Sequence, residues 1–139
     1  MLSEGSSQQS MNTEAERWLR QAERDLESAE SNYQTQTWYV CAFLAQQAAE
    51  KALKAVLAER TGGPPPRLHS IQKLGDLTGL TQQLPPEALR LDDYYISARY
   101  PDAVTGLPYE SLGERDALTA LDAARKTVAI ARGELGGNA

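Results

Sequence analysis

One histidine and one cysteine stand among 139 residues, and that scarcity removes whole classes of chemistry. A single histidine, His69, cannot build a two-histidine metal site, and a single thiol, Cys41, cannot close a disulfide within the chain. Cys41 reads instead as a small apolar filler in a reducing compartment. No glycine-rich phosphate loop and no nucleophile elbow occur, so neither a metal nor a cofactor is expected. No apolar run approaches the length of a bilayer span, and the opening MLSEGSSQQS carries neither the basic nor the apolar stretch of a secretory leader. A cytoplasmic protein without membrane contact is expected. Aromatics make up 6% of the chain, and the tyrosines cluster in the segments Tyr33 to Tyr39 and Tyr94 to Tyr109. Val and Ile are few where Ala and Leu are many, so helix is favoured over strand nearly everywhere.

What is present is a stretch, Trp38 to Arg60, that reads as one long helix apolar on most sides. At helical spacing Tyr39, Phe43, Leu53 and Leu57 form one face, and Ala42, Ala45, Ala48, Ala49, Ala52 and Ala55 line much of the other. A narrow polar strip holds Gln47, Lys51 and Lys54, with Glu50 placed to make a surface ion pair with Lys54. Such a helix belongs in the middle of a bundle, where every apolar face has a neighbour.

The rest of the chain supplies the neighbours, within the single domain its length allows. Residues 1 to 12 offer little to bury and are expected to form a disordered tail. Thr13 and Glu16 make a capping-box pattern opening an amphipathic helix whose stripe is Ala15, Trp18, Leu19, Ala22, Leu26, Ala29 and Tyr33. The short polar link before Trp38 predicts an antiparallel return. Gly62 and Gly63 end the central helix and Pro64, Pro65 and Pro66 forbid its continuation. Ser70 reads as the N-cap of a short helix bearing Ile71, Leu74 and Leu77, limited by Gly75 and Gly79. Pro85 and Pro86 start another over Glu87 to Tyr95. After the long loop SARYPDAVTGLPYESLG, a last long helix from Ser111 to Leu135 carries Ala117, Leu118, Leu121, Ala124, Val128, Ala131 and Leu135 on one face, and residues 136 to 139 form a second tail. The fold class is therefore all-α: an up-down helical bundle of four-helix type, with three long helices and two short ones over residues 13 to 135.

Charge is unevenly placed. The net value is −5, yet between Lys51 and Lys73 five cations meet one acid, so that window carries +4 and the remainder −9. A basic patch on an acidic body can receive a phosphate, although a solvated face gives the same pattern. His69 lies directly before the expected N-cap. It serves either in local hydrogen bonding or as a base or phosphate ligand at a helix entrance beside Arg67. Arg99, Tyr100 and Asp102 form a second candidate. Either arginine and carboxylate simply pair, or Arg99 binds phosphate while tyrosines stack on a base.

Three runs in fixed order, QQAAEKALKAVL on the central helix, LHSIQKL after the proline turn, and YISARYPDA before the last helix, resemble the HEPN family, named for higher eukaryotes and prokaryotes nucleotide-binding. The resemblance runs from Thr13 to about Leu135. It implies a helical bundle, commonly a homodimer, often partnered with a minimal nucleotidyltransferase in a toxin-antitoxin or nucleotide-handling pair. Many members are metal-independent ribonucleases with an arginine followed a few residues later by a histidine. This sequence departs from that pattern: Arg67 is too close to His69, Arg60 too far, and Arg99 has no histidine after it. The match is to a branch carrying Arg-Tyr-Pro-Asp.

Three functions compete. The first is a non-enzymatic module binding a nucleotide or RNA phosphate, with Arg99 on phosphate, Asp102 orienting it, Tyr100 stacking, and Lys51, Lys54 and His69 supplying positive potential. The second is a divergent ribonuclease using Arg99 and His69. The third is a dimeric interaction scaffold without ligand.

Overall fold

In the computed structural model the described residues are 11–97 and 107–136. Residues 1–10, the Arg99–Tyr100–Asp102 stretch and residues 137–139 lie outside them. The first helix, α1 (Thr13–Gln34), is opened by Asn12 rather than Thr13: the Asn12 side chain accepts from the Ala15 amide at 2.8 Å. Its amide group also donates to the Ala58 carbonyl at 3.0 Å, and Met11 packs against the core. These two residues, which local composition places in the tail, are thus part of the bundle. Ala15, Leu19, Ala22 and Ala29 are buried along the expected stripe.

A tight turn with Gln36 at φ 65° reverses the chain into α2 (Trp38–Thr61). This helix packs most extensively on α1 and next on the last long helix. The alanines predicted to line it are all fully buried, and side chains of a single carbon let the flanking helices approach its backbone. The helix ends at Gly62, whose φ of 78° only glycine adopts readily and whose amide donates to the Ala58 carbonyl.

The polar strip of α2 is the main correction to the sequence pattern. Spacing alone puts the Glu50–Lys54 pair at the surface, but the two side chains are 4% and 5% exposed and pair inside the protein at 2.8 Å. Gln46, one turn earlier, is fully buried with them. Hydrophobic periodicity marks positions, not neighbours, and here α1 and the turn before the third helix cover this face.

After the triproline turn, α3 (Ile71–Thr78) begins at Ser70, whose hydroxyl accepts from the Lys73 amide at 3.1 Å. Gly75 lies inside this helix because a methyl there would meet Thr81 Oγ1 at 2.8 Å and Leu84 Cδ1 at 3.2 Å. A 3-10 turn, Thr81–Gln83, makes that close approach. The helix expected over Glu87 to Tyr95 is two pieces, α4 (Pro86–Leu89) and α5 (Leu91–Ser97), separated at Arg90. Likewise Ser111 does not start the last long helix. It ends the short α6 (Pro108–Ser111), and α7 (Glu114–Glu134) follows Gly113, whose amide donates to Asp116 at 2.9 Å. Leu118, expected on the buried face of α7, is 41% exposed. Among the described residues there are seven α-helices and no strand, an all-α helical bundle.

Candidate functional site

Gln46, Glu50 and Lys54 occupy successive turns of α2, spaced so that all three share one side. Their polar atoms are out of water, and each one is satisfied. Glu50 is the hub. It accepts from Lys54 Nζ at 2.8 Å and Gln46 Nε2 at 3.2 Å, and it lies 3.2 Å from Nδ1 of His69. Gln46 Nε2 also donates to the His69 backbone carbonyl at 3.0 Å, and its own carbonyl accepts from Gln47 at 2.7 Å. His69 is therefore anchored to α2 twice, by ring and by main chain.

The imidazole itself is not buried. Its side chain is 53% exposed, and one face stacks on Tyr95 of α5 with ring centroids 4.7 Å apart and planes inclined by 15°. Tyr95 continues to Phe43 of α2 at 6.4 Å. His69, Ser70, Asp92 and Tyr95 line an open hollow of about 250 Å³ beside this stack. A larger open space of about 530 Å³ runs among Arg17, Arg20, Gln21, Glu23, Arg24 and Glu27. It is a gap between solvated side chains of the single helix α1, where Arg24 pairs with Glu27 and Glu23 with Arg132, so the His69 hollow is the better candidate.

The electrostatics of that hollow differ from the sequence expectation of a positive basin. Lys54 is neutralised by Glu50 and lies 5.3 Å from the Trp18 ring. Lys51 pairs with the buried Asp25 at 2.6 Å, which Gln21 also binds. Neither lysine offers an uncommitted charge. The amino end of α3, the place where the sequence leads one to expect a phosphate beside His69, is taken by Asp92. Its carboxylate accepts from the Ile71 amide at 2.6 Å and the Ser70 hydroxyl at 3.0 Å. Arg67 and Lys73 on either side of His69 in sequence are exposed. Arg99, Tyr100 and Asp102 lie outside the described residues.

Two further titratable groups are set by burial. Cys41 is enclosed near the Ala117 carbonyl, and loss of water pushes its thiol up to about 11. Tyr94 is raised by burial first and by the nearby Asp116 and Asp93 second. No cluster of metal-ligating side chains occurs among the described residues, and no described helix is long and apolar enough to cross a membrane. Sequence reasoning selects His69 and counts Tyr95 among the tyrosines available to stack on a base, but it misses Glu50 as the partner of His69, as well as Gln46 and Asp92. The available signal is the Gln46–Glu50–Lys54 row itself, three polar residues one turn apart on a helix with too few solvent-facing positions to expose them all.

Architecture and site together define a small all-α bundle that presents one carboxylate-held histidine beside an aromatic-lined hollow. The chain belongs to the HEPN domain family, whose model matches residues 15–134. Among solved structures it is similar to TT1696 from Thermus thermophilus, at 35% identity and a TM-score of 0.76 over 88% of this chain and 99% of that one. It is similar also to ST0689, an archaeal HEPN homologue, at 35% identity and a TM-score of 0.69 over 89% and 99%. A search of curated proteins finds no match.

Proposed function

We propose that the chain is a cytoplasmic nucleotide- or RNA-binding HEPN module whose ligand enters the hollow beside His69 and Tyr95. The observation that carries this reading is the His69–Tyr95 stack, in which the half-exposed imidazole of His69, bonded to Glu50 by its ring and to Gln46 by its main chain, lies flat against the partly buried Tyr95 ring. A stacked platform of this kind suits a nucleobase, whose face finds a partner without sequence preference. Arg67 and Lys73 support a phosphate position outside the hollow, and Arg99 with Asp102 and Tyr100 is assigned the remaining contacts on the sequence motif. Calorimetric titration of ATP and of a short RNA into wild type, His69→Ala and Arg99→Ala tests it. Binding by the wild type that both variants weaken supports the site. Absence of binding by the wild type removes the function, and equal binding by a variant removes that residue's role.

The family resemblance further supports a homodimer and a partner of the minimal nucleotidyltransferase type, in a toxin-antitoxin or nucleotide-handling pair. Co-expression with a nucleotidyltransferase encoded in a neighbouring reading frame, followed by size-exclusion chromatography with light scattering, tests both. Separate elution and a monomer mass remove them.

The Glu50–His69 contact favours a second reading, a divergent metal-independent ribonuclease in which His69 takes or gives a proton and Arg99 steadies the phosphorane. Labelled RNA cleaved by wild type and spared by His69→Ala supports it. Undiminished cleavage by the variant, or none by either, removes it.

A further inference from the structure

We infer that Glu50 is a positioning residue that fixes the tautomer of His69, so that Nε2 faces the hollow as a hydrogen-bond acceptor. The ligand group it meets is then a hydroxyl or amino donor of a nucleoside rather than a phosphate. The first part follows from connectivity. A carboxylate held by Lys54 and Gln46 is ionised and can only accept, so the Nδ1 nitrogen beside it at 3.2 Å carries the hydrogen. In the neutral ring the opposite nitrogen then bears a lone pair. Burial of Glu50 makes this preference stronger than it would be at the surface, because water is not there to replace the histidine as a donor. Neither carboxylate needs His69 as a counter-ion: Glu50 pairs with Lys54 inside, and Asp92 accepts from the Ile71 amide and the Ser70 hydroxyl at the hollow's other wall. Of the hollow's lining residues, His69, Ser70, Asp92 and Tyr95, the Asp92 carboxylate can only accept, Ser70 gives its hydrogen to Asp92, and Nε2 adds a second acceptor, so a donor group of the ligand is favoured over an anion.

The donor specificity rests on the nucleotide-binding function proposed above, whereas the tautomer does not. The two parts are separated by one set of measurements on the full chain. Because His69 is the only histidine, a long-range ¹⁵N–¹H imidazole spectrum contains a single ring system with no assignment ambiguity. Recorded at about pH 8, above the ordinary imidazole titration range, it is expected to show hydrogen on Nδ1 and a bare Nε2. In the double variant Glu50→Leu/Lys54→Met, which removes the buried pair as a unit, the ring is expected to revert to the mixture a solvated imidazole samples. A wild-type spectrum with the hydrogen on Nε2 overturns the inference without needing any variant to fold. So does a spectrum unchanged in a double variant whose helicity is intact.

The ligand arm uses ATP, 2′-deoxy-ATP and inosine triphosphate as probes. Loss of about tenfold in affinity for either analogue in the wild type, but not in His69→Ala, identifies the hydroxyl or the amino group as the donor; one hydrogen bond of ordinary strength gives this factor. Equal affinity for all three, or competition by inorganic phosphate that His69→Ala abolishes, overturns the donor assignment. No binding of any probe, with the Nδ1–H tautomer present, sinks the proposed function and leaves the role of Glu50 standing.

Discussion

Glu50 and Lys54 face each other with almost no access to water, so removing one strands the other. Glu50→Leu or Lys54→Met alone is expected to lower unfolding free energy by about 3–5 kcal/mol, the range for orphaning a buried charge, while the double replacement recovers most of it. Urea denaturation of the three variants measures this. Equal effects of the singles and the double would show that the pair is not coupled. Cys41 gives a second test at this scale. Its thiol is raised to about 11 by burial, so the unfolded chain gives up this proton first. The stabilising contribution is complete below about pH 9 and is lost as pH rises toward about 11. A Cys41→Ala variant is expected to show a shallower fall in stability over that window. A disulfide reagent should label native Cys41 slowly and the urea-unfolded thiol fast. What the sequence discloses about single residues follows exposure. Cys41 is legible as filler because its neighbours are apolar, but Glu50 is not legible as a partner of His69, because that contact spans nineteen positions and depends on where the proline turn lands.

At the level of helices, periodicity carries the long elements and fails at the joints. The stripe of α1 and the alanine faces of α2 are where helical spacing puts them, since each is repeated over several turns. The short elements are decided by one or two hydrogen bonds each. Asn12 takes the cap from Thr13 because it also reaches the Ala58 carbonyl, a long-range contact no local pattern contains. Arg90 interrupts what reads as one helix, and Asp92 just beyond it then caps α3. Gly75 reads in the sequence as a limit on α3, but its physical reason is the approach of Thr81 and Leu84. Gly75→Ala is therefore expected to destabilise by roughly 1 kcal/mol, the gain in helix propensity failing to offset displacement of the Thr81 hydroxyl from Asp76. In a Thr81→Ala background, where the obstructing oxygen is gone, the same change should become neutral or stabilising. Thermal melts of the two pairs decide it, and the same sign in both backgrounds would show that the contact does not matter.

The molecule as a whole is held by apolar contact about α2, with ion pairs at its edges. Arg132 pairs with Glu23, Arg125 with Glu30, and Arg60 with Glu134, joining α7 to α1 and α2 across partly exposed surfaces. Such pairs are screened and each is worth less than about 1 kcal/mol. Arg132→Gln is thus expected to shift the urea midpoint only slightly and to lose even that effect in high salt. A loss of several kcal/mol would mean that these edges bear the fold. The overall class is readable from composition because a helix rich in alanine on most sides has no stable place except the interior. The electrostatic character of the hollow is not, because counting cations from Lys51 to Lys73 leaves out Glu50, one residue before that window, and Asp25 and Asp92, which come from other parts of the chain.

The alanine lining of α2 has a consequence for how this scaffold can diversify. A rod whose neighbours rest almost on its backbone has no room for larger side chains, so novelty cannot be introduced along most of its length without prising the bundle apart. The exception is the row of Gln46, Glu50 and Lys54, where the packing already tolerates long polar groups. Changes of specificity that keep the architecture must therefore be written there, or in the turns that this row grips.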